Sequence, residues 1–281
     1  MTRNRLNSVI HRYNLNPPRG ELFLLKHRAW WLELPLSPTE KLRIRQDLAT
    51  LDHLEPQIAQ VGEELFRLST AAPWAEQVPY LMQLPGFGIV VVMTVLAAIG
   101  DVTRFPSAKK LVGYSGLGAS VHDSGETHRT GGTLAPHASA GVTKSGRKDL
   151  RWILVEAARI AVIYDPYWKA QYARLEPRLG SNKAVVVVAR KLLVVVWHVL
   201  HERTADRQAQ AERVATKLME WSRDLNTQQR GGLSSRQFTR YQLMRLHLGD
   251  NLAQVQCAGR ARPLASPEEV AALRPEVKSA T

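Results

Sequence analysis

The chain has 281 residues, 44% of them hydrophobic, so a real core can form over one large or two small domains. Its 38 Lys and Arg outweigh 25 Asp and Glu, and the resulting charge of +13 favours a polyanionic partner such as nucleic acid. A single cysteine, Cys257, excludes an internal disulfide and a cysteine-based zinc site and fits a reducing, cytoplasmic setting.

Met1 to Arg12 is polar and basic, without the apolar stretch of a signal peptide. Arg3 to Tyr13 reads as a short amphipathic helix, with Leu6, Val9, Ile10 and Tyr13 at helical spacing. Pro17-Pro18 ends it, and Leu22 to Leu34, with Trp30-Trp31, is a second apolar helix. Ser37-Pro38-Thr39-Glu40 is a helix start in which Ser37 caps, Pro38 suits the first turn and Glu40 completes a capping box. The helix that follows carries Ile44, Leu51, Ile58 and Leu65 at a spacing of seven, with Leu54, Val61 and Leu68 as a second row. Pro56 should kink it. Two readings stand: a hairpin packed on its own domain, or a coiled coil that joins copies of the chain.

Pro73 and Pro79 mark a boundary. Met82 to Ile99 reads as turn plus helix, Ser107 to Val112 as a short helix, and Gly113 to Gly146 as a long loop without sustained period. Arg147 to Ile163 is a helix with Leu150, Ile153, Leu154, Ala157, Ala158 and Ala161 on one side. Lys183 to Arg203 is helical despite its valines, because its length exceeds that of a strand. Arg190-Lys191 interrupts its most apolar run, so a buried core helix is expected and not a membrane span. From Thr204 onward, charged helical stretches alternate with Gly231-Gly232 and Pro263, and the final twenty residues are expected to be disordered. The fold class is therefore mainly α: a helical linker or coiled coil, then a helical domain with a helix-hairpin-helix and a long Gly/Ser-rich loop.

Three segments could carry chemistry. Leu84-Pro85-Gly86-Phe87-Gly88 before an apolar helix has the form of a helix-hairpin-helix. Gly86 and Gly88 would allow close backbone approach to a phosphate, and the following helix would present free amides to it. The alternative is a plain turn between helices. Ser124, in Val121-His122-Asp123-Ser124-Gly125-Glu126-Thr127-His128-Arg129, is a candidate nucleophile for a phosphodiester. His122 or His128 would take its proton, and Arg129 would hold the phosphate; an ordinary Ser-Gly turn is the other reading. Lys144, Arg147, Lys148 and Arg151 fall on one helical face as a phosphate clamp, or simply as a solvated face. No D-x-D, H-E-x-x-H or acidic triad suggests a metal site, and there is no P-loop or GxGxxG.

Taken together, the ordered string resembles the insertion-sequence-one-ten transposases, a bridge-RNA-guided family with a RuvC-like acidic domain and a catalytic serine. The residues that carry the resemblance are Leu84 to Gly88, Gly100-Asp101, Arg104-Phe105, Leu111, Tyr114, Gly116-Leu117, Ser124-Gly125, Thr143-Lys144, Gly146, Leu150-Arg151 and Ala189 to Leu193. The resemblance implies a transposase domain whose serine, here Ser124, becomes joined to DNA, and a structured guide RNA that selects the sites. It also implies an acidic quartet that binds magnesium in an amino-terminal domain. This chain is expected to begin after that domain, so no cofactor is expected to be bound by the chain itself. An insertion at Gly131 to Gly141 departs from the family pattern.

The expected organisation is an amino-terminal helical segment over 1–36, a linker or coiled coil over 37–75, a transposase domain over 76–203 and a basic extension over 204–281. The expected partners are DNA, a guide RNA and further copies of the chain through the linker, with no membrane. The leading reading is a DNA transposase or site-specific recombinase of a bacterial-type insertion sequence, truncated. The alternative is a catalytically inactive DNA- or RNA-binding remnant that modulates a full-length enzyme. A DNA-repair accessory protein ranks last, because it gives the string beyond Arg104 no role.

Overall fold

The computed structural model describes residues 1–118, 121–124, 127–130 and 145–274. Among them helices dominate, and the chain divides into two compact units, residues 1–64 and 65–281.

The first unit is built from α1 (Thr2–Arg12), α2 (Arg28–Glu33) and most of α3 (Pro38–Ser69). Leu6 and Val9 of α1 meet Trp31, Leu34, Ile44, Leu48 and Leu51 in one apolar cluster. Arg5 pairs with Asp47, and Arg12 reaches Glu40 at 3.3 Å. Half of the expected capping box forms at the start of α3: Glu40 N donates to Ser37 Oγ at 3.3 Å, while the Glu40 carboxylate turns to Arg12. The helix runs on through Pro56. The apolar seam divides along its length. Ile44 and Leu51 are buried in the first unit, and Leu65 and Leu68 pack on the core of the second. Between them Leu54, Ile58 and Val61 are 38%, 67% and 60% exposed.

The second unit continues with α4 (Val78–Met82), α5 (Ile89–Ile99), α6 (Ala108–Ser115), a hairpin of β1 (Val121–Ser124) and β2 (Thr127–Thr130), and α7 (Lys148–Tyr164). The hairpin falls inside the stretch expected to be loop. Next come α8 (Pro166–Leu179) and α9 (Ser181–Glu202). α9 is the central helix, packed against α6, α7 and α8. Ala184, Val188, Leu192, Leu193 and Val196 are fully buried along it, and that helical periodicity of burial overrides the strand preference of its valines. Among the described residues it is the one helix long and apolar enough to cross a membrane, and half of it is buried in this core. α8 has no counterpart in the sequence reading, although its start is written in Asp165-Pro166: the Asp165 carboxylate accepts from Trp168 N at 3.1 Å.

The segment from Thr204 is not a loose extension. α10 (Ala211–Asp224) buries Val214, Leu218, Met219 and Trp221. α11 (Ser235–Arg245) begins with a capping box between Ser234 and Gln237. A hairpin of β3 (Gln254–Cys257) and β4 (Arg260–Pro263) pairs Gln254 with Pro263 and Cys257 with Arg260. α12 (Pro267–Leu273) follows and buries Val270 and Ala271. Disorder from residue 262 is therefore corrected as far as residue 274. A buried charge explains the order. Arg240 is 2% exposed and donates to the carbonyls of Ala265 at 2.8 Å, Gly249 at 2.7 Å and Leu252, tying the last segments to α11.

Candidate nucleic-acid site

The turn between α4 and α5 uses its two glycines differently. Gly86 has φ +79°, and a Cβ there would lie 2.2 Å from the carbonyl oxygen of Ala157 on α7. Glycine at 86 is thus what lets the turn seat against α7. Gly88 caps α5 in extended conformation and is exposed, and a Cβ there would meet nothing within 4 Å. No side chain caps α5, so its first turn is open to an anion. Behind the turn, Lys217 of α10 donates from Nζ to the Leu84 carbonyl at 2.6 Å. Burial of that ammonium lowers its pKa from 10.5 to about 7, while Glu220 pulls the other way.

The ends of α6 and α7 close the base of the segment that holds the candidate serine. Arg147 N donates to the Tyr114 carbonyl at 2.9 Å. Gly146 has φ +138°, and a Cβ there would fall 2.4 Å from that same carbonyl oxygen. Gly116 has φ +71°, and its Cβ position lies 2.8 Å from the Ser145 carbonyl oxygen. Only glycine fits either crossing. The backbone around Gly116 thus lies directly against that around Gly146.

Above this closure sits a polar cluster. The Arg104 guanidinium lies 4.6 Å from the Phe105 ring centroid and 4.8 Å from that of Tyr114. The Tyr114 hydroxyl donates to the Ala98 carbonyl at 3.3 Å, and Arg104 Nη2 donates to the same oxygen at 3.4 Å. Arg147 Nη1 donates to the Tyr114 hydroxyl at 3.4 Å. Arg104, then Arg147, holds the phenol below its usual pKa against the opposing effect of burial. Asp149 takes the Nε of Arg147 at 2.9 and 3.1 Å, and that guanidinium depresses the carboxyl's pKa.

Among the described residues, two of the expected cations come to the end of α6. Arg147 precedes α7 and turns toward Tyr114 and Asp149, whereas Arg151 donates to the Ser115 carbonyl at 3.3 Å. Lys148 is exposed. The structure therefore brings Arg147 and Arg151 to the end of α6 and gives both an internal contact. Ser124 ends β1, with Thr127 as its backbone partner, and Arg129 stands opposite His122. Lys144 and the residues 131–141 lie outside the described residues. Arg104 and Tyr114 join Arg147 in this cluster, although in the sequence they stand out only as parts of a string. Their chemical signal was the Arg-Phe pair ahead of a lone tyrosine, but the third member, Arg147, lies 33 residues from Tyr114.

A divalent ion asks for converging carboxylates or imidazoles. Among the described residues no group of three His, Cys, Asp or Glu converges. These residues do not fit a metal centre.

Residues 78–173, which run from α4 into α8, match the family described as Transposase IS116/IS110/IS902. The chain is 28% identical over 153 residues to the pilin gene-inverting protein of Moraxella bovis, covering 53% of this chain and 45% of that protein. It is 24% identical over 210 residues to the transposase for insertion sequence element IS1111A of Coxiella burnetii, covering 70% and 53%. It is 30% identical over 183 residues to the putative transposase y4qE of Sinorhizobium fredii, covering 62% and 38%. These alignments span about half or less of the relatives' own lengths. Residues 78–173 are thus similar to the transposase domain of this family.

Proposed function

We propose that the chain acts on DNA as the transposase domain of an insertion sequence, with Ser124 as nucleophile for strand cleavage and exchange. The observation that carries this reading is the family match over 78–173, which takes in Ser124 and the cationic closure around Arg147. In the proposed step Ser124 Oγ bonds to phosphorus as one phosphorus–oxygen bond to a deoxyribose breaks. The serine proton passes to a base, for which His122, two residues earlier on β1, and His128 on β2 are the candidates. The departing oxygen takes up a proton, and the cations offset charge on the phosphate. Arg129, Lys144, Lys148 and the open amides after Gly88 would hold neighbouring phosphates. The setting is the cytoplasm, and the exposed Leu54, Ile58 and Val61 on α3 support assembly of copies. A guide RNA would be a second polyanion for the same positive charge.

The test is a denaturing gel of the protein incubated with labelled element-end DNA. The wild type forms a covalent adduct; Ser124→Ala forms none yet binds the DNA. An adduct with Ser124→Ala would show that another residue attacks. No adduct with the wild type removes the cleavage reading for this chain.

A further inference from the structure

The Arg104–Tyr114–Arg147 cluster is more than a packing contact. Its donors are assembled but poorly used. The hydroxyl bond that links it measures 3.3 Å against a usual 2.5–3.0 Å, and the two guanidinium bonds 3.4 Å against a usual 2.7–3.2 Å. By contrast, Asp149 holds the Nε side of Arg147 at 2.9 Å. That contact fixes the guanidinium and leaves its Nη edge toward the tyrosine. Arg104 and Arg147 are exposed and Tyr114 is partly so, so a ligand can reach all three. Lys110, also exposed, stands one helical turn before Tyr114 on α6 and adds positive charge beside them. Two forks and a phenol that meet over one hydroxyl match the oxygens of a single tetrahedral anion. The cluster also stands at the closure from which the Ser124 segment departs, where Gly116 and Gly146 fix the backbone.

We propose that Arg104, Tyr114 and Arg147 together form the seat of one DNA phosphate, in which both guanidiniums grip the same group and the Tyr114 hydroxyl donates to it. This rests on the reading that the chain binds DNA, and it adds residues and a stoichiometry to that reading. On binding, the hydroxyl turns from the Ala98 carbonyl to a phosphate oxygen.

The experiment measures affinity of the full chain for a labelled element-end duplex across a series of salt concentrations. Each neutralised phosphate contributes about 0.9 to the slope of log affinity against log salt. Arg104→Gln and Arg147→Gln should each weaken binding with a slope change well below one, because the remaining guanidinium still meets the phosphate, and the double variant should flatten it by about one. Slopes that add to about two would place the arginines on separate phosphates and overturn the proposal. Tyr114→Phe keeps the ring under Arg104 and so guards against simple unfolding. It should weaken binding about 10- to 150-fold with the slope unchanged, the range that a hydrogen bond to a charged group contributes. Wild-type affinity in Tyr114→Phe, with an unchanged melting temperature, would also overturn it. A single-stranded RNA of equal length is the control. Losses confined to RNA would reassign the seat and sink the DNA proposal. Absence of wild-type DNA binding defeats the functional reading and this seat together, whereas wild-type binding with an indifferent Tyr114→Phe defeats the seat alone.

Discussion

Gly86→Ala tests whether the turn before α5 is set by packing against α7. The native φ of +79° lies in the left-handed region, where an L-residue with a Cβ costs about 1–2 kcal/mol. The new methyl would also lie 2.2 Å from the Ala157 carbonyl oxygen, well inside contact distance. Neither atom is a flexible side-chain end, so the turn and α7 must part. Forcing such a shift in a packed interior costs about a further 1–3 kcal/mol. The total, about 2–5 kcal/mol, is a large fraction of the roughly 5–15 kcal/mol that holds a domain together. For a unit of this size each kcal/mol moves the melting temperature by about 2–4 °C, so a fall of roughly 4–20 °C is expected. Circular dichroism at 222 nm during a thermal ramp would record it. Gly88→Ala is the matched control, since its φ is −88° and its Cβ position meets open space. It should cost less than about 1 kcal/mol, and Gly88→Ser should recover that by capping α5. A Gly86→Ala protein melting within 1 °C of wild type would refute the argument. So would a larger loss from Gly88→Ala.

Further outcomes follow from other parts of the molecule. Lys217 has a folded pKa of about 7 against 10.5 in the open chain, so the unfolded state binds more protons between those values and stability should rise with pH there. Urea midpoints at pH 6.5 and 8.5 should therefore differ in the wild type, and Lys217→Met should show a smaller rise; an identical rise would remove Lys217 as its source. Arg240→Leu leaves the Ala265, Gly249 and Leu252 carbonyls without their donor and should cost about 3–5 kcal/mol by urea unfolding. A loss under about 1 kcal/mol would mean that α11 does not need this charge to hold the last segments. Lys148→Ala should flatten the salt slope of DNA binding by about one with no change in melting temperature. An unchanged slope would take Lys148 out of the interface.

Helices whose signals lie within one segment were legible in the sequence. Ser37 announced α3, and the periodic alanines and leucines between Leu150 and Ala161 announced α7. The valine-rich α9 was legible from length alone. α8 was overlooked although Asp165-Pro166 marks it, because its outer face is polar and its apolar period is weak. The order of residues 204–274 could not be read locally either. It depends on Arg240 meeting carbonyls 9, 12 and 25 residues away, and on Val255 and Leu264 joining a core built elsewhere. The same limit applies to the candidate site. A Gly-x-Gly string shows that a turn is tight, but not that Gly86 faces α7 while Gly88 faces outward. Arg147 and Arg151 looked like an open cationic face, yet the end of α6 supplies both with acceptors. Four residues spaced along a helix say which side they share, not what stands opposite that side.

The paired glycine crossings at 116 and 146 have an evolutionary consequence. They join the two ends of the intervening segment through backbone contacts that involve none of its side chains. With its ends already held, lengthening such a segment changes its closure entropy only slowly, by about 0.6 kcal/mol for each doubling. The helical body can then keep its stability while the residues between these crossings are exchanged, shortened or extended. Under the proposed function, selection for a new DNA site would then fall on that segment and leave the scaffold at its two ends unaltered.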